Sequence, residues 1–248
     1  MFKMLRKIKN IFKKTLKSFT NLREYFYLKK LSDGDYKVSD SVKYYCQFAS
    51  PELAEDILEK RILAQEDPRW QEFGFETAEE YAFWSWRACG IICLKMIIDT
   101  VNNRNEKVKD LLKRGIELGG YVSHDKNGKL IDKGWYYKSL ISLAGEHSFK
   151  GKIFSHLSVQ NICREISNKH FVIASVDPGL IRFDEVESQY KGGHVVLVWG
   201  FKWENKRCAG FYLHNPSGKN EKTRRAFVSI EVFRKAFAER GFSAWEAK

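Results

Sequence analysis

Cys89-Gly90 stands at the head of a run, Cys-Gly-Ile-Ile-Cys-Leu-Lys-Met-Ile-Ile, with the apolar content of a buried helix. A cysteine at a helix N-terminus feels the positive end of the helix dipole, which favours the thiolate, the form that attacks a carbonyl. Gly90 leaves room for a substrate backbone to come close. A thiolate nucleophile also needs a base on a rigid element. His194 fits, because it follows Gly192-Gly193 and opens the strand-like run His-Val-Val-Leu-Val-Trp-Gly. Asn215 ends the next predicted strand, and two adjacent antiparallel strands would bring its amide to the imidazole. The chemistry these residue types offer is acyl transfer through a thioester: His194 deprotonates Cys89, the sulfur attacks a peptide or amide carbonyl, and Asn215 orients the ring.

The elements that must position these groups are readable from periodicity. Ser50-Pro51 reads as an N-cap with proline at the first helical position, opening a helix to about Ala64. Thr77-Ala-Glu-Glu80 has capping-box spacing and starts a helix into Trp84. Further helices are expected at 89–101, 105–117, 135–144 and 158–167. Short β-rich runs follow at 170–176, 194–200 and 207–214, with a hairpin turn at Trp203-Glu-Asn-Lys206. Ser229 caps a final helix over Ile230–Arg240, which Gly241 stops. Helices first and strands later make an α+β fold and not repeating βαβ units.

These segments resemble the papain-like cysteine peptidases, in the bacterial branch related to double-glycine leader peptidases. Four features carry the resemblance: Cys89-Gly90 with Met96 downstream, Gly193-His194-Val-Val-Leu-Val-Trp-Gly-Phe201, Tyr212-Leu-His-Asn-Pro216, and the tail Ser229-Ile-Glu-Val-Phe233. It covers roughly residues 40–245. It implies a helical subdomain carrying the nucleophile helix, packed on an antiparallel β-sheet. It also implies a peptide or protein substrate, no cofactor and no metal. The family places an oxyanion-hole glutamine about six residues before the nucleophile, where Phe83 stands here. Gln47, in Tyr44-Tyr-Cys-Gln-Phe-Ala-Ser50, resembles the segment that supplies that glutamine. Residues 50–80 then form a helical insertion, and the Gln47 amide joins the Cys89 N–H as an oxyanion donor.

Plainer roles suit the neighbouring residues. Cys93, one helical turn after Cys89, is expected in the core, as are Cys46, Cys163 and Cys208. Cys89 and Cys93 lack a second ligand pair at zinc spacing. His214 should point to the opposite face of the strand from Asn215. Glu79 and Glu80 serve as helix caps, and Trp135-Tyr136 line either a substrate cleft or the core. Three functions use the same residues. The first is thiol-dependent hydrolysis, and the second is transglutaminase-like transfer of the acyl group to an amine. The third is a non-catalytic peptide-binding module held at a membrane.

Charge divides the chain. Residues 1–30 carry ten Lys/Arg against one acid, Glu24, about +9 of the net +12, so the other 218 residues are near neutral. That balance argues against a nucleic-acid partner for the domain. Phe2, Leu5, Ile8, Ile11, Phe12, Leu16 and Phe19 recur at helical spacing among these cations. The arm, residues 1–35, is thus a basic amphipathic helix for an anionic membrane surface or an acidic partner, or one that packs its apolar stripe on the domain at 36–248. Five cysteines at irregular spacing read as reduced thiols of a cytoplasmic protein, with the arm as its route to the membrane face. Lysines and arginines interrupt the N-terminus too often for a secretory signal, and no run approaches the roughly 18 apolar residues of a bilayer span.

Overall fold

A computed structural model describes residues 23–122, 127–129, 134–182 and 192–247. The amphipathic stretch from Phe2 to Phe19 lies outside them. Residues 23–28 are helical, and β1 (Gly34–Lys37) follows. Helices α1 (Ala78–Ser85), α2 (Cys89–Asn102), α3 (Val108–Glu117) and α4 (Tyr137–Glu146) come next. The chain then alternates through β2 (Phe149–Phe154), α5 (Val159–Ser167), β3 (Phe171–Val176), β4 (His194–Glu204) and β5 (Arg207–His214). It finishes with β6 (Arg225–Ser229), α6 (Ile230–Ala236) and β7 (Phe237–Glu246). All pairings are antiparallel, in the order β2-β7-β3-β4-β5-β6, with β1 added along β4. This is the expected α+β arrangement, a helical part that includes the helix beginning at Cys89, packed on an antiparallel sheet.

Both faces of the sheet are covered, so its inner strands are apolar runs without alternation. One face packs Phe171, Ile173, Leu197 and Phe242 against α2, α3 and α4. The other packs Val172, Val196, Phe201 and Phe211 against α5 and α6 through Ile162, Ile166 and Phe233. From Gly90 to Asp99 every residue of α2 is buried. Lys95 sits in that run because Asp99 Oδ2 (2.6 Å) and Asn105 Oδ1 (2.9 Å) accept from its ammonium. A buried charge survives only when it is paired in this way. Residues 23–31 lie on α5, with Leu28 buried and the Arg164 guanidinium 3.4 Å from the Tyr27 ring centroid.

Several elements depart from expectation, each for a local reason. The helix from Ser50 is only Ala54–Leu58, because Lys60 turns the chain with φ +59°. Ser50 does not cap it; its hydroxyl donates to Asp67 Oδ1 at 2.6 Å. Residues 50–77 otherwise make short 3-10 turns and loops. The last helix stops at Ala236, and Gly241 belongs to β7, where a Cβ would lie 2.3 Å from the Ile173 carbonyl. That glycine permits close strand contact and stops no helix. The 203–206 turn is as expected, with Asn205 and Lys206 at φ +49° and +59°, the left-handed pair a two-residue hairpin requires. Ser229 and Thr77 cap their helices, accepting from Val232 N and Glu80 N.

Candidate active site

β4 opens on His194, and Asn215 lies one residue past the end of β5. A bulge between Val198 and Gly200 adjusts their register, and the chain turns at once after Asn215, Gly218 N–H donating to its carbonyl at 3.0 Å. Asn215 Oδ1 then lies 2.8 Å from His194 Nε2. Which amide atom faces the ring is decided by a backbone group. Ser217 N–H, which can only donate, reaches the same Oδ1 at 3.1 Å, so that atom is the oxygen. His194 Nε2 must therefore carry a proton, and the neutral ring keeps its lone pair on Nδ1. Burial pushes the His194 pKa down to about 4, opposed by the Asn215 hydrogen bond, so the imidazole is neutral at pH 7.

Cys89 is the first residue of α2, with no side chain capping that helix start. It lines a cavity of about 560 Å³ together with Gly90, Gly193 and His194. Cys89 is partly exposed, whereas the other four cysteines are buried, as expected of packing residues. Burial, then the Cys89 sulfur, raise the Cys93 pKa well above the ordinary thiol value. Trp86, Trp135, Tyr136 and Tyr137 form aromatic walls, and Arg87 and Arg240 also line the cavity. Trp135 is fixed by its indole N–H donating to the Arg87 carbonyl at 2.8 Å. Glycines 90, 115 and 120 make space for its ring: a Cβ there would come within 3.3, 2.8 and 3.0 Å of it.

Gln47 is brought to the same region. Its N–H donates to the Pro216 carbonyl at 2.8 Å, one residue from Asn215. Phe48 meets Trp86, three residues before Cys89, edge to face at 5.5 Å. The Gln47 side chain is buried, and its Oε1 has no hydrogen-bond partner among the described residues. Phe83, at the family's glutamine position, instead stacks under the Arg87 guanidinium at 4.0 Å. His214 turns away from the ring of His194 and packs on Tyr44 and Trp199.

Three contributors had no sequence signal that singled them out. Tyr44 OH donates to the Asn215 carbonyl at 3.0 Å. Tyr81 accepts from Ala49 N–H at 2.9 Å and donates to Asp67 Oδ2, which also accepts from Ser50 N–H at 3.0 Å, so a buried network clamps the Gln47 segment. Ser217, two residues after Asn215, carries no pattern of its own in the sequence.

Residues 40–245 match the Peptidase_C39 like family. No curated protein matches the chain. Among solved structures it is similar to a putative C39-like peptidase from Bacillus anthracis, at 14% identity and TM-score 0.45 over 64% of this chain and 89% of that one. The peptidase domain of Streptococcus ComA, a bi-functional ABC transporter of a quorum-sensing pathway, gives 12% and 0.41 over 64% and 90%. A double glycine motif protease from an AMS/PCAT transporter, solved with the leader peptide, gives 12% and 0.38 over 63% and 81%.

Proposed function

The chain belongs to the Peptidase_C39 like family and is a cysteine peptidase, and on that premise we propose that Cys89, His194, Asn215 and Gln47 carry its chemistry. Neutral His194 takes the Cys89 thiol proton at Nδ1 as the sulfur attacks the substrate carbonyl. The carbonyl electron pair moves onto oxygen, where the Gln47 amide and the Cys89 N–H donate to it. Imidazolium then protonates the leaving amine, the C–N bond breaks, and a thioester remains. Water, deprotonated by the same Nδ1, releases the acid and restores the thiol. No cofactor enters any step. The substrate is a peptide or a protein segment lying extended between the aromatic walls.

The observation that supports this reading best is the proton on Nε2, assigned through the Ser217 N–H, which leaves Nδ1 as the ring's basic atom. Residues 36–248 would be the catalytic domain and 1–35 an appendage. Its described end, residues 23–31, packs on α5. Residues ahead of that point carry the cations for an anionic membrane or an acidic partner, which fits a cytoplasmic protein peripheral at the membrane.

The test is the pH dependence of iodoacetamide alkylation, read by peptide mass mapping in wild type and His194→Ala. Cys89 should react well below pH 8 and ahead of the four buried thiols, with that advantage lost in His194→Ala. Alkylation no faster than at the other cysteines, or unchanged in the variant, overturns the mechanism.

A further inference from the structure

Building on that catalytic reading, we infer that Ser217 is a positioning residue of the site, giving the His194 Nε2 proton a second acceptor and holding the Asn215 amide in place. Ser217 Oγ lies 3.0 Å from His194 Nε2 and 3.2 Å from Asn215 Oδ1. A hydroxyl has one proton, and Asn215 Oδ1 can only accept, so Oγ–H donates to Oδ1. Nε2–H is a donor, so the Oγ lone pair faces the ring. The imidazole N–H is thereby shared between two oxygens, both buried.

The turn that returns Ser217 to the ring is stiff. Arg224 Nε donates to the Gly218 carbonyl at 3.1 Å and its Nη2 to the Lys219 carbonyl at 2.9 Å. A Cβ on Gly218 would lie 2.6 Å from Arg224 N, so only glycine lets the 220–224 segment close over this corner. A residue placed merely to fill a turn would need no contact with the ring.

The chemical consequence concerns the charged form of His194. When the ring takes the thiol proton, Nε2–H becomes a charge-assisted donor, and both acceptors strengthen. Ser217 therefore favours imidazolium and opposes the burial that disfavours it. Around the same cavity the other titratable or charged groups among the described residues are Cys89 from α2, Arg87 just before it, Tyr121, Tyr136 next to α4, Tyr137 from α4 and Arg240 from β7. Arg224 is turned away to the carbonyls of residues 51, 218 and 219.

Ser217→Ala keeps the backbone N–H, and so the Asn215 orientation, while deleting the second acceptor. The readout is the ratio of the Cys89 alkylation rate at pH 6.5 to that at pH 9.5, where the thiol is deprotonated without help. The ratio should fall roughly 3- to 10-fold in Ser217→Ala, the size expected of a typical net hydrogen bond, and return to within about twofold in Ser217→Thr. A purely structural role would lower the melting temperature and leave the ratio alone. An unchanged ratio in Ser217→Ala, with wild type still above His194→Ala, overturns this inference only; wild type equal to His194→Ala overturns the catalytic reading beneath it. A measurement on the unaltered protein covers the case of a misfolded variant. Nitrogen NMR of histidine-labelled protein, with His194→Gln for assignment, should find the His194 proton on Nε2, slow to exchange. A proton on Nδ1, or a rapidly exchanging one, overturns the proposal.

Discussion

The two halves of the candidate site are held by opposite means. The base half, His194 with Asn215 and Ser217, sits at the end of a hairpin where His194 Nε2, Asn215 Oδ1 and Ser217 Oγ bond one another. The nucleophile half is shaped chiefly by packing. Cys89 starts a helix whose body is packed on all sides, and its cleft wall, Trp135, is set by three glycines and a single indole hydrogen bond. Hydrogen bonds determine where a proton resides, whereas packing determines where an atom resides. One half should therefore fail through lost polar atoms, and the other through added methyl groups.

Deleting the amide in Asn215→Ala should break the base half most severely. Without it the ring loses its tautomer lock, and turnover should fall by about 10²–10⁴-fold, with Cys89 still solvent-accessible to alkylation at pH 9.5. Peptide cleavage rates would check this, and retention of more than a tenth of the activity would break the contrast. Gln47→Ala removes a proposed oxyanion donor that belongs to neither half, with an expected loss of about 10²–10³ in kcat and little change in KM. A change confined to KM would assign Gln47 to substrate binding.

Acid should probe the polar half through stability. Burial pushes both His194 and His214 down to about 4, from an ordinary value near 6.5. Because the folded pKa lies below the unfolded one, protonation favours unfolding. The stability these neutral rings contribute is complete above pH 6.5 and is lost as pH falls towards 4. The shift corresponds to roughly 3 kcal/mol for each ring at most. Melting curves between pH 7.5 and 4 should show the decline, and His214→Asn should remove about half of it without touching the His194 ring. The smallest effect belongs to the packed half. Gly115→Ala would place a methyl group 2.8 Å from the Trp135 ring. It should cost about 1–3 kcal/mol and alter tryptophan fluorescence while leaving the pH-rate profile in place. A shifted profile would mean that the halves are coupled.

The sequence made the polar partners legible because each carries a local signature. Cys89-Gly90 precedes an apolar run, Gly192-Gly193 frees the start of a strand, and Asn215-Pro216 ends the next one. What escaped depends on distant partners. Phe237–Glu246 reads as helix and then loop, since Ala238, Glu239 and Arg240 have no strand alternation; β2 and β3 on either side make it a strand. Ser50 reads as a helix cap until Asp67, seventeen residues later, claims its hydroxyl. The clamp of Tyr81 and Asp67 on the Gln47 segment joins three stretches that show no common pattern.

The place of β7 has a consequence in time. It is the last strand in the sequence yet lies inside the sheet, and β2 touches the sheet only through it. Its Phe242 also supports Tyr137 of the cleft wall, at 5.5 Å. A chain emerging from the ribosome therefore displays Cys89 long before the sheet can close, and His194 and Asn215 shortly before it. Pairings of such long sequence separation form late and slowly. Synthesis itself thus acts as a delay: the strand that supports Tyr137 enters between β2 and β3 only after both have been made.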